Sequence, residues 1–285
     1  MVFFILIARF SLVQLNREII YNTCKWNPKK KFIKFANSYQ NFEGELMNLD
    51  ALVYAAHPDD AELSMGGTIA KLAMHNLKVG IIDLTRGELG TRGTPEIRQK
   101  EAFLAAGILK VSVRENLMIP DGDIERKKEN LMKIVISIRK YRPKILFAPY
   151  FNDRHPDHIH TSRLVKEAMF ATGLAKLKTF DREVAQNAYR PRKLYYYMQT
   201  YQFEPSFIVD ISESFEIKMK AVQCFSSQFH NPRSKEPETF ISRPEFIHYI
   251  ESRAQVFGFQ IDKKYGEPFF CEEKVELSLE ELLRE

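Results

Sequence analysis

From residue 51 onward, apolar and polar positions alternate between strand-like and helix-like patterns. "ALVYAA" (51–56) is a continuous apolar run that predicts a buried strand, and "AELSMGGTIAKLAMHN" (61–76) predicts a helix. "KVGIIDLT" (78–85) predicts the next strand. "TPEIRQKEAFLAAGI" (94–108) predicts a helix with a marked start: Thr94 caps it, Pro95 suits the first helical position and Glu96 favours the positive end. A short strand near 113–118, a helix over 127–141, the strand "KILFAP" (144–149) and a helix from Pro156 to Leu174 follow. In the last third, "KLYYYMQ" (193–199) and "FIVDI" (207–211) predict strands, and 212–225 and 243–258 predict helices, with Gly258 as a C-cap. Continuous apolar strands spaced by helices imply an α/β fold with a mostly parallel sheet covered on both faces. Ligands of such sheets gather beyond the carboxyl ends of the strands. The last third is expected to pack on the sheet and wall one side of the cleft.

Composition changes this picture little. The 285 residues are 45% hydrophobic, enough for a sizeable core, and no repeat of 20–50 residues suggests a solenoid. Charge changes it more. The net charge is +5, but residues 1–46 supply +4 of it, so the remaining chain is near neutral. No nucleic-acid partner is expected. Cys24, Cys224 and Cys271 are scattered without a C-x-x-C, which fits a reducing, cytoplasmic setting.

The N-terminal "MVFFILIARF" is interrupted by Arg9 and falls short of the roughly 18 residues that span a bilayer. It lacks the basic start and small-residue cleavage site of a signal peptide. In "FEGELMN" (42–48) the Glu-Gly-Glu codons can spell a purine-rich ribosome-binding sequence ahead of Met47. The expectation is that 1–46 is mis-assigned upstream sequence or a disordered extension, that 47–285 is one domain, and that no membrane is involved. A genuine extension and a signal or anchor are the rivals.

Candidate chemistry sits at two strand ends. "AAHPDD" (55–60) and "DRHPDH" (153–158) each follow an apolar run, and each adds a further ligand type to His-Pro-Asp. The proline keeps His57 and His155 out of the helical region. Taken singly, each tripeptide is an ordinary turn with a capping aspartate. Together they offer His57, Asp60 and His158 as a mixed nitrogen and oxygen set, and catalytic zinc takes three protein ligands with one position left open. Asp59 is next to a ligand without being one, which suits a general base. His155 is left to serve a developing oxyanion or a leaving group, with Asp157 accepting from its other ring nitrogen. His160, two residues from His158, faces elsewhere on a helix. His75, His230 and His248 have no ligand spacing. Gly66-Gly67 read as close helix packing, because the first turn lacks the G-x-G-x-x-G of a dinucleotide fold.

"AHPDDAE" (56–62), "TRGELGTRGT" (85–94) and "RHPDH" (154–158) together resemble the PIG-L/LmbE family of zinc-dependent N-acetylglucosaminide deacetylases. The resemblance runs from about Asp50 to Phe269. It implies a Rossmann-like three-layer sandwich, zinc on His57, Asp60 and His158, Asp59 as base, and His155 with Asp157 assisting the oxyanion and amine. The "TRGELGTRGT" loop, "SKEPETFIS" (234–242) and "YGEPF" (265–269) are similar to the branch that acts on N-acetylglucosaminyl malate in bacillithiol biosynthesis. Independently, Arg86, Arg92 and Arg154 lie in or beside the strand-end loops, and guanidinium forks suit the two carboxylates of malate. Gly87, Gly90 and Gly93 would let their loop move over a sugar.

The expected activity is therefore amide hydrolysis on a small N-acetylated sugar. Another N-acetyl sugar conjugate is the enzymatic alternative, and a carbohydrate-binding or metal-storage protein the non-enzymatic one. A His₂Asp set also accepts Fe²⁺, cobalt or nickel. The family resemblance implies a homo-oligomer, often a hexamer.

Overall fold

The computed structural model describes residues 47–283 apart from Arg233. The expectations about residues 1–46 lie outside the described residues.

The apolar runs form the strands β1 (Ala51–Ala55), β2 (Val79–Asp83), β3 (Val113–Asn116) and β4 (Ile145–Pro149). Each of these four leads on to a helix: α1 (Asp60–Met74), α2 (Pro95–Leu109), α3 (Lys128–Tyr141) and α4 (Pro156–Thr172). The Thr94 side chain accepts from the Ile97 N–H and Pro95 opens α2, as its sequence predicts. A small hairpin of β5 (Phe180–Asp181) and β6 (Val184–Ala185) stands apart. Then come β7 (Lys193–Tyr197), β8 (Phe207–Asp210), α5 (Phe215–Val222), α6 (Glu245–Phe259), β9 (Gly266–Phe270) and a short α7 (Leu279–Leu282).

The main sheet runs β3–β2–β1–β4–β7–β9–β8, parallel from β3 to β7. Its β1 strand is buried on both faces. Ala51, Val53 and Ala55 face a cluster with Ile69 of α1, Ala105 of α2 and Val222 of α5. Leu52 and Tyr54 face Ile138 of α3 and Leu164 of α4. Three layers result, helix, sheet and helix. The chain leaves β1 toward β2 on one side and returns to place β4 on the other. The crevice between the β1 and β4 ends is the switch point where parallel sheets bind ligands.

The sequence pattern does not predict β9. "GEPFF" contains Gly and Pro, which read as loop. Yet β9 lies between β7 and β8, antiparallel to both. Pro268 is tolerated because pairing with β7 involves only Phe269 and Phe270, so its missing N–H falls beyond that ladder. Glu267 of β9 is buried and repairs a break in α1. Met65 has non-helical angles, φ −138° and ψ 21°. The Gly67 and Thr68 N–H groups that follow donate to the Glu267 carboxylate at 3.0 and 2.7 Å. Lys218 Nζ donates to the same carboxylate at 2.6 Å, keeping the buried charge paired. Gly67 packs close, as expected: a Cβ there would lie 2.7 Å from Ile211.

Candidate active site

The two His-Pro-Asp segments meet because β1 and β4 pair side by side. His57, Asp60 and His158 are buried, and one ligand atom from each converges within 4.8 Å. Asp60 is the hinge of the set. One oxygen accepts from the His57 backbone N–H at 2.9 Å, which folds the turn, and lies 3.5 Å from His57 Nδ1. The other lies 3.2 Å from His158 Nε2.

Each histidine is held from behind by a carboxylate. His57 Nε2 lies 3.0 Å from Asp121 and 3.3 Å from Asp157. His158 Nδ1 lies 2.8 Å from Asp153. Asp153 also accepts N–H bonds from His155 at 3.0 Å and from Thr200 at 2.8 Å, so it ties the start of α4 to the segment after β7. Metal-ligating histidines are oriented by carboxylates in this way, leaving the near nitrogen free for the ion. The donor set and its rear partners therefore fit a divalent metal. A second set, His57, His155 and Asp157, also converges within 4.8 Å, and His160 belongs to neither.

The electrostatics are those of a crowded, dry site. Burial alone would lower His57, but hydrogen bonds with Asp121, Asp157 and Asp60 hold it well above its usual value. Burial likewise opposes the charge on His158, yet Asp60 and Asp153 raise it to about 9. Asp60 is held far below the carboxylate range, its burial outweighed by His158 and His57. These protons occupy the positions a dication would take over. His155 moves the other way. Burial and then the charges of His57 and His158 push it down, so it stays neutral more readily than a free histidine.

Asp59 is turned aside from the ligands. Its backbone is left-handed, φ 118°, and its carboxylate lies 3.3 Å from Arg98 Nη2. Non-glycine residues in such a region are strained by about 1–3 kcal/mol and cluster at functional sites. Burial raises Asp59 to about 7, with Asp60 adding to the shift and Arg98 opposing it.

Three expectations are placed differently by the structure. The Asp157 carboxylate lies near His155 but is not hydrogen-bonded to it. That carboxylate accepts from Gly122 N–H at 3.1 Å and meets His57. The Asp157 backbone N–H donates to His155 Nδ1 at 3.2 Å instead, because His155 sits at the helix N-cap. A donor on Nδ1 leaves the neutral proton on Nε2. The arginines all have partners within the chain. Arg86 Nη2 donates to Glu96 at 2.6 Å, buried Arg92 lies 3.7 Å from Glu236, and exposed Arg154 stacks over Phe240 at 4.9 Å. The loop glycines serve packing: a Cβ on Gly87 would collide with the Arg98 guanidinium, and one on Gly93 would lie 2.7 Å from Ser227.

Asp121, Asp153 and Arg98 join the site without having been expected there. Asp121 has a usable signal, since "IPDGD" follows β3 and so reaches the same sheet edge. Asp153 lies two residues before His155 but carries no ligand spacing. Arg98 looks like any charged position on a helix.

Residues 52–169 match the family described as PIG-L, GlcNAc-PI de-N-acetylase. The chain is 31% identical to the diacetylchitobiose deacetylase of Thermococcus kodakarensis over 70% of its own length and 81% of the relative's. It is 26% identical to a probable N-acetyl-alpha-D-glucosaminyl L-malate deacetylase 2 of Bacillus anthracis, over 62% and 80%. Among solved structures, the conserved protein TT1542 of Thermus thermophilus aligns at 36% identity and TM-score 0.72, covering 81% of this chain and 98% of that one. The 4-carboxy-2-hydroxymuconate hydratase of Pseudomonas putida shares the fold at 22% identity and TM-score 0.66, over 80% and 98%.

Proposed function

Since the chain belongs to the PIG-L, GlcNAc-PI de-N-acetylase family, we propose that its strand-end site removes the acetyl group from an N-acetylglucosaminide. The observation that carries this reading is the convergence of His57, Asp60 and His158 with Asp59 turned aside from them. A binding protein needs the first three and has no use for a strained, buried carboxylate beside them. A divalent metal on that set, zinc by the family resemblance, would acidify a water and polarise the amide carbonyl.

The chain's own groups supply the rest. Asp59 takes the proton from the attacking water, and burial makes it a stronger base than an ordinary carboxylate. His155, with Nδ1 occupied by a backbone N–H, offers Nε2–H to the oxygen that gains charge as water adds. The acetyl C–N bond then breaks. The proton collected by Asp59 goes to the departing nitrogen, and acetate and a free amine result. Asp121 and Asp157 hold His57, and Asp153 holds His158, throughout.

The aglycone is a finer question. The malate conjugate is supported by three arginines at the rim and by the Bacillus anthracis relative. A neutral saccharide is supported by the partners those arginines already have and by the more similar chitobiose relative. Acetate release from N,N′-diacetylchitobiose and from N-acetylglucosaminyl malate, before and after chelation, tests both levels. Chelator-sensitive release from either supports the deacetylase, and the ratio chooses the aglycone. Release from neither, nor from any other N-acetyl sugar, would overturn the reading. The partner is thus a small sugar. No described helix is long and apolar enough to cross a membrane.

A further inference from the structure

We propose that Arg98 is a positioning residue for the reaction: it fixes Asp59 and binds the 85–93 loop to the same spot. This rests on the deacetylase reading. Arg98 lies in the first turns of α2, yet its side chain is only 6% exposed. Its Nη2 donates to the Pro58 carbonyl at 2.7 Å and to Asp59 Oδ2 at 3.3 Å. Its Nη1 donates to the Gly87 carbonyl at 3.2 Å. One guanidinium therefore joins the peptide that enters the base, the carboxylate of the base and the start of the loop.

The backbone shows why this grip is needed. Asp59 is held at φ 118°, which persists only where the surroundings over-determine it. The turn's other hydrogen bonds act on its backbone and its neighbours: the Asp60 carboxylate accepts from His57 N–H, Asp60 N–H donates to the His57 carbonyl, and Leu63 N–H reaches the Asp59 carbonyl. None touches the Asp59 side chain. Arg98 does, at 3.3 Å.

The loop is built around the same group. Gly87 has φ +66°, and a Cβ there would collide with Nη1; a Cβ on Gly90 would lie 3.1 Å from the same nitrogen. Bare backbone at both positions packs on the guanidinium. The loop's next contact, Leu89 N–H to Asp121 at 2.9 Å, passes to the carboxylate behind His57. A planar fork can serve these directions at once, whereas a lysine ammonium on a flexible stem cannot.

The test uses R98Q, R98K, D59N and the R98Q/D59N pair in the full chain. Metal content, kcat and KM on the better of the two sugars, and hydrogen exchange of residues 86–93 are read. For R98Q, kcat falls about 100-fold, as a misplaced group costs, with KM and metal content within about threefold. R98K recovers less than about a tenth of the loss. In the D59N background, removing Arg98 costs less than about threefold, because the group it positions is gone. Exchange of the loop amides quickens in R98Q and R98K. Wild-type kcat in R98Q, loss of metal in step with kcat, or a full loss of about 100-fold on top of D59N overturns the proposal. If the wild-type chain releases no acetate, the deacetylase reading fails. Loop exchange in R98Q then still decides whether Arg98 grips the loop, and unchanged exchange overturns it.

Discussion

The floor and the rim of the site are built by different physics. On the floor, the side chains of His57, Asp60, His158, Asp121, Asp153 and Asp157 are no more than 11% exposed and are linked by contacts of 2.8–3.5 Å. At the rim, Arg86 and Arg154 reach water, and Arg92 meets a Glu236 side chain that is 44% exposed. Charges removed from water interact strongly and misplace expensively, while exposed pairs are worth about 0–1 kcal/mol. The floor therefore fixes one chemistry, and the rim can vary its partner with little effect on the fold.

The largest break in this comparison is the loss of a floor ligand. His158→Ala should leave metal content at background and turnover below about a thousandth of wild type. Chelation of the wild-type chain should do the same and be reversed by zinc. Metal analysis beside acetate release checks both. Full activity after stripping would remove the metal from the reaction.

Asp59→Asn comes next and separates the base from the ligands. Metal content should hold while kcat falls about 10²–10⁴-fold. The pH profile sharpens the assignment. Asp59 accepts a proton only when ionised, and its value is raised to about 7 by burial. As pH falls through that value the carboxylate is neutralised and turnover declines, about tenfold per unit at the limit. A bound dication favours the ionised form, so the acidic limb should lie at or somewhat below about 7. The limb should vanish in the Asn variant, as pH-rate measurements on both proteins will show.

How much of this can be read from the sequence follows the same division. The strands β1, β2 and β4 are continuous apolar runs, and α2 is written with its cap, so the parallel half is legible. So is the meeting of His57, Asp60 and His158, because proline-set turns at adjacent strand ends bring them to one edge of the sheet. The antiparallel β9 is not. It is a strand by virtue of its neighbours, with Pro268 excused by the end of the β7 ladder. Arg98 and Asp153 are illegible for a related reason: their roles depend on which segments the fold brings near. For Asp157 the neighbourhood is legible and the partner is not, since one helical turn decides whether its backbone or its carboxylate meets His155.

Asp153→Asn tests the rear support of the floor. Asp153 is held at about 2, its burial outweighed by the hydrogen bonds from His158 and the His155 N–H, so it remains a carboxylate throughout the working range. Its loss should weaken metal affinity about 10–100-fold, as for other carboxylates behind ligand histidines. Turnover at saturating metal should fall less. A competition titration with a chromophoric chelator reads the affinity directly.

The smallest effect belongs to the rim, and it is the most diagnostic. Glu236 accepts the Gly93 N–H at 2.8 Å and answers the buried Arg92, so it already supplies the carboxylate that an acidic aglycone would bring. Glu236→Gln should leave kcat for a neutral sugar within about twofold and shift Tm by less than about 3 °C. Its effect should appear as discrimination. With the competing carboxylate gone, kcat/KM for the malate conjugate should rise up to about tenfold relative to the neutral sugar, which corresponds to about 1.4 kcal/mol. Because Glu236 is largely solvated, that gain should shrink between low and high salt, where the buried floor contacts should not. A large fall in kcat for both substrates, insensitive to salt, would instead place Glu236 among the reacting groups and erase the boundary between rim and floor.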